Sequence, residues 1–470
     1  MKDRSLPRTA PSAVGVNADG IIAFLDAVQT APDIELHSLM LLRHGRVLAE
    51  GWWHPYSAER VHLLYSLSKS FTSTAVGFAV AEDLVDLDAT VLSYFPELDA
   101  DITDPRSRAM LVRHVAAMAS GHREDTVARA GALDPRDLVH GFLMIPPDEE
   151  PGSYFAYNQS CTFTLAAIVQ RVSGVSLTEY LRPRLFDPLD IGATGWIRDA
   201  SGREIGYSGM HANTEAVAAL GQLYLQDGRW GERQLLPTDW VAQASRTQVG
   251  TELEENIDWA QGYGYQFWMS RYGYRGDGAF GQFCLILPEH DAVIAITAQT
   301  EDMQGVVDLA WRHLLPALGG PESAAADAAL AEQLSGLRLP ALPGSPAPTE
   351  ARQQTFTAAP GNDQPGLTEV VLSPGVEGVW TVTLIEDDAP VVAQLGIGEW
   401  VVTDVVAASG GWTTSGDPGQ SVIAVDVLFI ETPHRLQLRC HPSTGFFDCR
   451  WMTTPLHSPS LFDLRMPGLG

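Results

Sequence analysis

Ser66 and Lys69 stand three residues apart in the nearly uncharged stretch LLYSLSKSFTSTAVGFAV, residues 63–80. On a helix, residues i and i+3 share a face with Cβ atoms about 5–6 Å apart, so hydroxyl and amine are neighbours if a helix begins near Ser66. A serine in a first turn lies in the positive field of the helix N-terminus, where a developing oxyanion is favoured. A lysine in apolar surroundings has its charged form disfavoured, so its amine can take a proton near neutral pH. Arginine stays protonated and cannot do this. Of the 30 Lys and Arg side chains only Lys2 and Lys69 are lysines, so a chain that uses arginine almost everywhere keeps a base-forming amine beside this serine. Serine is common, and S-x-x-K alone is weak evidence that needs a partner.

The partner lies in EEPGSYFAYNQSCTFTLAAIVQRVSG, where Pro151-Gly152 makes a turn and Tyr157 precedes a helical pattern. A phenol there can share a proton with Lys69 and protonate a leaving group. An aromatic before a helix is more often a core residue, so Tyr157 gains meaning only beside Ser66 and Lys69.

The elements that must carry these residues read as mixed α and β. HSLMLLRHGRVLAEGWW gives two strands around His44-Gly45, and the segment after Ser66, apolar on nearly all sides, gives a buried helix. CTFTLAAIVQRVSG and TEAVAALGQLYLQDG have helical spacing and end at glycines, and GQFCLILPEHDAVIAITAQ gives a strand, a turn at 288–291 and a strand. Residues 319–352 are rich in Ala, Pro and Gly and read as a linker with one short helix. Beyond them TEVVLSP, VWTVTLIED, EWVVTDVVA, SVIAVDVLFIET, HRLQLRC and GFFDCRWM alternate with period two, the mark of a small all-β sandwich or barrel. The expected organisation is α+β: a mixed first domain over 1–318 that carries Ser66, Lys69 and Tyr157, a linker over 319–352 and an all-β accessory domain over 353–470.

A formal charge of −28 excludes nucleic acid and anionic membrane as partners, because phosphates would be repelled. The N-terminal twenty residues have no apolar segment of the kind a secretory signal needs, and no window approaches a membrane span, so a cytoplasmic protein is expected. Cys161, Cys284, Cys440 and Cys449 form no CxxC pair and read as small core residues, although Cys440 and Cys449 flank one turn within reach of a disulfide. No metal or other cofactor is implied: H-x-x-x-H is absent, and His54, His62, His114, His122, His211 and His290 read as surface or turn residues. G-x-S-x-G is also absent, which excludes an α/β-hydrolase elbow. GDGAFG fits G-x-G-x-x-G, but a strand follows it where a nucleotide site needs a helix.

Together YSLSKS, PGSYFAYNQ, LFDPLDIGATGW and LGQLYLQDGRWGERQLLPTDWV resemble the serine β-lactamase and penicillin-binding superfamily over about residues 15–318. The branch most resembled is that of class C-like hydrolases, with family VIII carboxylesterases, D-aminopeptidases and nylon-oligomer hydrolases. The resemblance implies an antiparallel sheet flanked by helices beside a helical region. It makes Ser66 the acylated nucleophile, with Lys69 and Tyr157 as base and proton shuttle. The family's Y-x-N becomes Tyr157-Asn158-Gln159, in which Gln159 offers the same amide to substrate on a longer arm. The third motif, K-T-G or H-x-G in the family, falls at Gly276-Asp277-Gly278-Ala279, so Asp277 and Gly278 are expected at substrate, and the amides of Ala279 and Ser66 form the oxyanion hole.

With Asp277 in place of a basic residue, a substrate carboxylate meets repulsion of about 1 kcal/mol even in water, which disfavours β-lactams. Arg275 nearby offsets part of this. A small-molecule ester is the expected substrate, because alkoxide leaves more readily than amine. The alternative is an amide or peptide whose ammonium meets Asp277 or acidic neighbours. A reading of another class, a non-catalytic binder or assembly protein, gives no reason for lysine at 69. The all-β domain shows no catalytic set; capping the site, association into a homo-oligomer and stabilisation are equally compatible with it.

Overall fold

A computed structural model describes residues 6–320, 323–347, 352–375, 379–387, 389–414, 421–457 and 460–468. Its first layer is a six-stranded antiparallel sheet in the order Arg46–Trp52, Ile34–Arg43, Ala292–Thr300, Gln282–Leu287, Tyr274–Gly278 and Trp268–Met269. The central strands are buried along nearly their whole length because both faces are covered. Successive residues go to opposite sides: Met40, Leu42, Cys284 and Ile286 join one core, while Leu39, Leu41, Phe283 and Leu285 join the other. The helices Ala18–Thr30 and Met303–Leu309 supply Ile21, Phe24 and Val306 to the second core. The helices Ser68–Ala81 and Thr214–Leu225 supply Phe71, Ala75 and Val217 to the first. Each fully buried Val, Ile or Phe among these contributes about 1.5–3 kcal/mol.

The helix Ser68–Ala81 is buried from Ser68 to Ala79, although it is rich in hydroxyls. Those hydroxyls pair with carbonyl oxygens of surrounding segments: Ser70 with Gln266, Thr72 with Gly206 and Ser73 with Tyr265. A polar sequence thus becomes a core helix, and it anchors three irregular segments around the serine.

The C-terminal domain is an eight-stranded barrel, which decides between the sandwich and barrel expected. Its strands are antiparallel except for two closing pairs, Gln354–Ala358 with Phe446–Trp451 and Ala389–Gly396 with Val406–Thr414. EWVVTDVVA, expected as one strand, is two: Val401–Thr403 and Val406–Thr414 pair antiparallel across a turn at Asp404, where φ is 54°. Cys440 and Cys449 are free thiols, and neither faces the other in the strand register, where they oppose Phe447 and Leu438.

Within 319–352 a helix, Ala324–Ser335, docks on the sheet by Leu330, and Asp327 accepts the Ser12 hydroxyl at 2.5 Å. Contacts between the two domains include Leu63 N to the Glu431 carbonyl at 2.8 Å and Arg435 to Glu35 at 2.5 Å. His62, His122 and His211, expected at the surface or in turns, are buried. Local hydrogen bonds make that possible, such as His62 Nε2 with His37 Nδ1 at 3.0 Å. Among the described residues, no helix is long and apolar enough to cross a membrane.

Candidate active site

Ser66 occupies a single 3₁₀ turn, Tyr65–Leu67, that runs into the buried helix at Ser68. The serine therefore lies just ahead of the regular helix. The turn is held from outside: Leu64 N donates to the Met210 carbonyl at 2.8 Å, and Met210 N returns a bond to Ser68 Oγ at 3.0 Å. Tyr65 has φ 48°, a left-handed conformation that costs a non-glycine residue about 1–2 kcal/mol.

Lys69 is 1% exposed, and its Nζ lies 3.0 Å from Ser66 Oγ. It also donates to Gln159 Oε1 at 2.6 Å and to the Tyr207 carbonyl at 2.7 Å. All three partners are neutral oxygens. Burial lowers the Lys69 amine from 10.5 to about 7, against the pull of Asp125 and Asp277. A neutral amine has two N–H donors and one lone pair. Gln159 and Tyr207 take the donors, which leaves the lone pair for the Ser66 hydroxyl.

Tyr157 stacks on Trp268 with ring centroids 5.4 Å apart, and the Lys69 Nζ lies 4.7 Å from its ring centre. Loss of hydration raises its phenol above the ordinary value, the Asp277 charge adds to this, and a hydrogen bond with Ser66 opposes it. At neutral pH this phenol is therefore a proton donor, while Lys69 is the group poised to accept.

Gln159 opens the helix Gln159–Ser173, with its backbone N–H fixed by Asp125 Oδ1 at 3.0 Å. Its amide oxygen is engaged by Lys69, so the residue expected at substrate sits against the amine. Neighbouring Asn158 is the helix cap and accepts from Ser160 N at 3.0 Å.

The strand Tyr274–Gly278 packs directly on the serine turn, and its glycines are required by that approach. A Cβ at Gly278 would lie 2.1 Å from the Leu64 carbonyl oxygen and 3.1 Å from the Ser66 amide nitrogen. Ala279 follows at once, its carbonyl accepting from Gln282 Nε2 at 3.1 Å. Asp277 is 6% exposed and paired with Arg275 at 2.9 Å. The other Arg275 bonds go to the carbonyls of Asp258 and Met269 and to Ser270 Oγ, and its guanidinium lies 4.1 Å from the Trp259 ring centre. Asp277 is thus half of an internal ion pair, where a carboxylate free for substrate was expected.

Ser66, Lys69, Tyr157, Gln159, Gly278 and Ala279 converge, whereas Asp277 is turned to Arg275. Tyr207 and Gln282 were not anticipated. Tyr207 acts through its backbone carbonyl, which leaves no mark in residue type; its flanking glycines in Gly-Tyr-Ser-Gly were the available signal.

The beta-lactamase family model matches residues 25–318 of this sequence. The chain belongs to the beta-lactamase family. The 6-aminohexanoate-dimer hydrolase of Paenarthrobacter ureafaciens is 27% identical over 301 residues, 57% of this chain and 76% of that protein. The structure of EstCE1, described as a hydrolase with promiscuous acyltransferase activity, superposes with a TM-score of 0.52 at 18% identity, over 64% of this chain and 97% of that one. That of SurE with D-Leu superposes with a TM-score of 0.50 at 19% identity, over 86% of this chain and 93% of that one. The family is one of serine hydrolases whose members include esterases and amide hydrolases.

Proposed function

We propose that the chain hydrolyses a small-molecule carboxylic ester through an acyl-enzyme on Ser66. The observation that carries this reading is the Lys69 amine, buried among neutral oxygens with its Nζ 3.0 Å from Ser66 Oγ. Lys69 takes the hydroxyl proton as Oγ attacks the ester carbonyl carbon. The oxyanion of the tetrahedral intermediate accepts from the amides of Ser66 and Ala279. As the carbon–oxygen bond breaks, Tyr157 gives its proton to the leaving alkoxide and regains one from the Lys69 ammonium. Water then attacks the acyl-enzyme, losing its proton to Lys69, and Ser66 leaves protonated.

A second reading, hydrolysis of an amide that bears a free ammonium, is favoured by one feature of the surface. A pocket of about 490 Å³ at Tyr157 is lined by Glu124, Asp125, Glu252 and Glu254, with Arg123 as its cation. The Paenarthrobacter relative, named a 6-aminohexanoate-dimer hydrolase, is of the same kind.

One panel separates the readings: p-nitrophenyl esters, anilides, D-amino acid amides and nitrocefin, with fluorophosphonate labelling alongside. Esters turned over fastest and a label on Ser66 are expected. Faster cleavage of the amino acid amides would reverse the order of the two readings. No turnover and no label would end both and favour a binder.

A further inference from the structure

Lys69 is directed by the Tyr207 carbonyl, and that carbonyl belongs to a segment with little stiffness of its own. Gly206 and Gly209 enclose Tyr207 and Ser208, with φ of 67° and 82°. Glycines on both sides leave the peptide free to rotate unless side chains hold it. On the near side, the Thr72 hydroxyl donates to the Gly206 carbonyl at 2.8 Å and the Trp196 indole to the Ser208 carbonyl at 2.7 Å. Backbone bonds from Tyr207 N to the Ile205 carbonyl at 2.7 Å and from Ile197 N to the Gly209 carbonyl at 3.1 Å add to these, and a further hold comes from the C-terminal domain. His457 Nε2 lies 2.6 Å from Ser208 Oγ, and the His457 ring stacks on Tyr65 at 5.6 Å. The ring also stands 6.4 Å from that of Tyr207.

The same domain grips the other side of the pair. His434 Nδ1 donates to the Thr453 carbonyl at 2.9 Å, so its Nε2 is an acceptor, and the Tyr65 hydroxyl donates to it at 2.5 Å. Tyr65 is the strained residue immediately before Ser66. Two barrel histidines thus touch the residue before the nucleophile and the residue after the carbonyl that holds the base.

We propose that His457 is a positioning residue for the Lys69 base: by fixing Ser208 it fixes the Tyr207 carbonyl and closes the lysine nest to water. This rests on the hydrolase reading above and gives the barrel a part in it. Burial, with the Lys69 charge adding to it, lowers His457 to about 4, so the ring is neutral and adds no charge beside the amine.

The test uses the full chain as wild type, His457→Ala and His457→Asn, with p-nitrophenyl butyrate turnover followed from pH 5 to 10. In His457→Ala, kcat should fall by about 10- to 100-fold with KM changed less than about twofold, since misplacement of a catalytic group by about 1 Å has an effect of that order. Its acid limb should rise by about one pH unit, because admitted water relieves the burial that lowers Lys69. His457→Asn, which keeps a hydrogen-bonding group for Ser208, should recover most of kcat. Wild-type kcat and an unmoved acid limb in His457→Ala would overturn the proposal. So would an equal loss in both variants that tracks thermal stability alone. An inactive, unlabelled wild type would remove the hydrolase reading instead; an NMR titration of Lys69 in the same variants then decides whether His457 keeps the amine dry.

Discussion

Lys69 and Arg275 lie on adjoining elements and are equally cut off from water, at 1% and 0% exposure, yet their surroundings are opposite. Arg275 meets the Asp277 carboxylate at 2.9 Å, and on the barrel Arg435 meets Glu35 at 2.5 Å. Lys69 is hydrogen-bonded to three neutral oxygens and to no carboxylate. A buried cation that is paired keeps its proton; one surrounded by dipoles holds it loosely. The arginines join strands and domains, while the lysine is arranged to exchange a proton with one hydroxyl. Burial is the same, so the difference lies in the partners and in the side chain itself, a guanidinium staying protonated where an amine need not.

The comparison breaks most sharply at the serine. Ser66→Ala should reduce ester turnover by at least about 10³-fold and abolish fluorophosphonate labelling, as removal of a nucleophile does. Mapping of the label to another serine would end the assignment. Lys69→Arg keeps charge and hydrogen-bond donors but no available lone pair, and turnover should fall by about 10²- to 10⁴-fold. Activity near wild type would mean that position 69 needs only charge.

On the paired side the expected loss is of stability. Asp277→Asn leaves the Arg275 charge buried without its counter-ion and should lower unfolding free energy by about 3 kcal/mol, read by denaturant titration. An unchanged midpoint would mean the pair is not structural. The smallest effect has the opposite sign. Burial lowers Lys69 from 10.5 to about 7, so over that pH range the unfolded chain binds more protons than the folded one, and stability rises with pH. Lys69→Met removes this dependence. It should be more stable than wild type by about 1 kcal/mol near pH 7, with the advantage shrinking toward pH 10.

Ser66 and Lys69 were legible because their chemistry is in the side chain and their spacing is local; Tyr157, far along the chain, was legible through the motif PGSYFAYNQ that carries the family resemblance. The central strands and their helices were legible for the same reason, through unbroken or periodic apolar runs. Gln159 was placed at substrate because its amide was read in isolation; its partner Lys69 is 90 residues away in sequence. Tyr207 contributes a carbonyl that every residue owns. His434 and His457 reach the site across the domain boundary, which no window along the chain can register. The strands Gln354–Ala358 and Ala389–Gly396 went unread because the first is short with Phe356 as its one large apolar residue, and Pro390 argues locally against the second.

The central claim concerns one amine, and the composition makes it directly observable. With Lys2 and Lys69 the only lysines, protein labelled with ¹³C,¹⁵N-lysine gives two side-chain signals to follow against pH. One of them should titrate near 7 and lose that midpoint in Lys69→Arg. Two midpoints above 10 would contradict the account, because an amine protonated at neutral pH cannot be the base for Ser66.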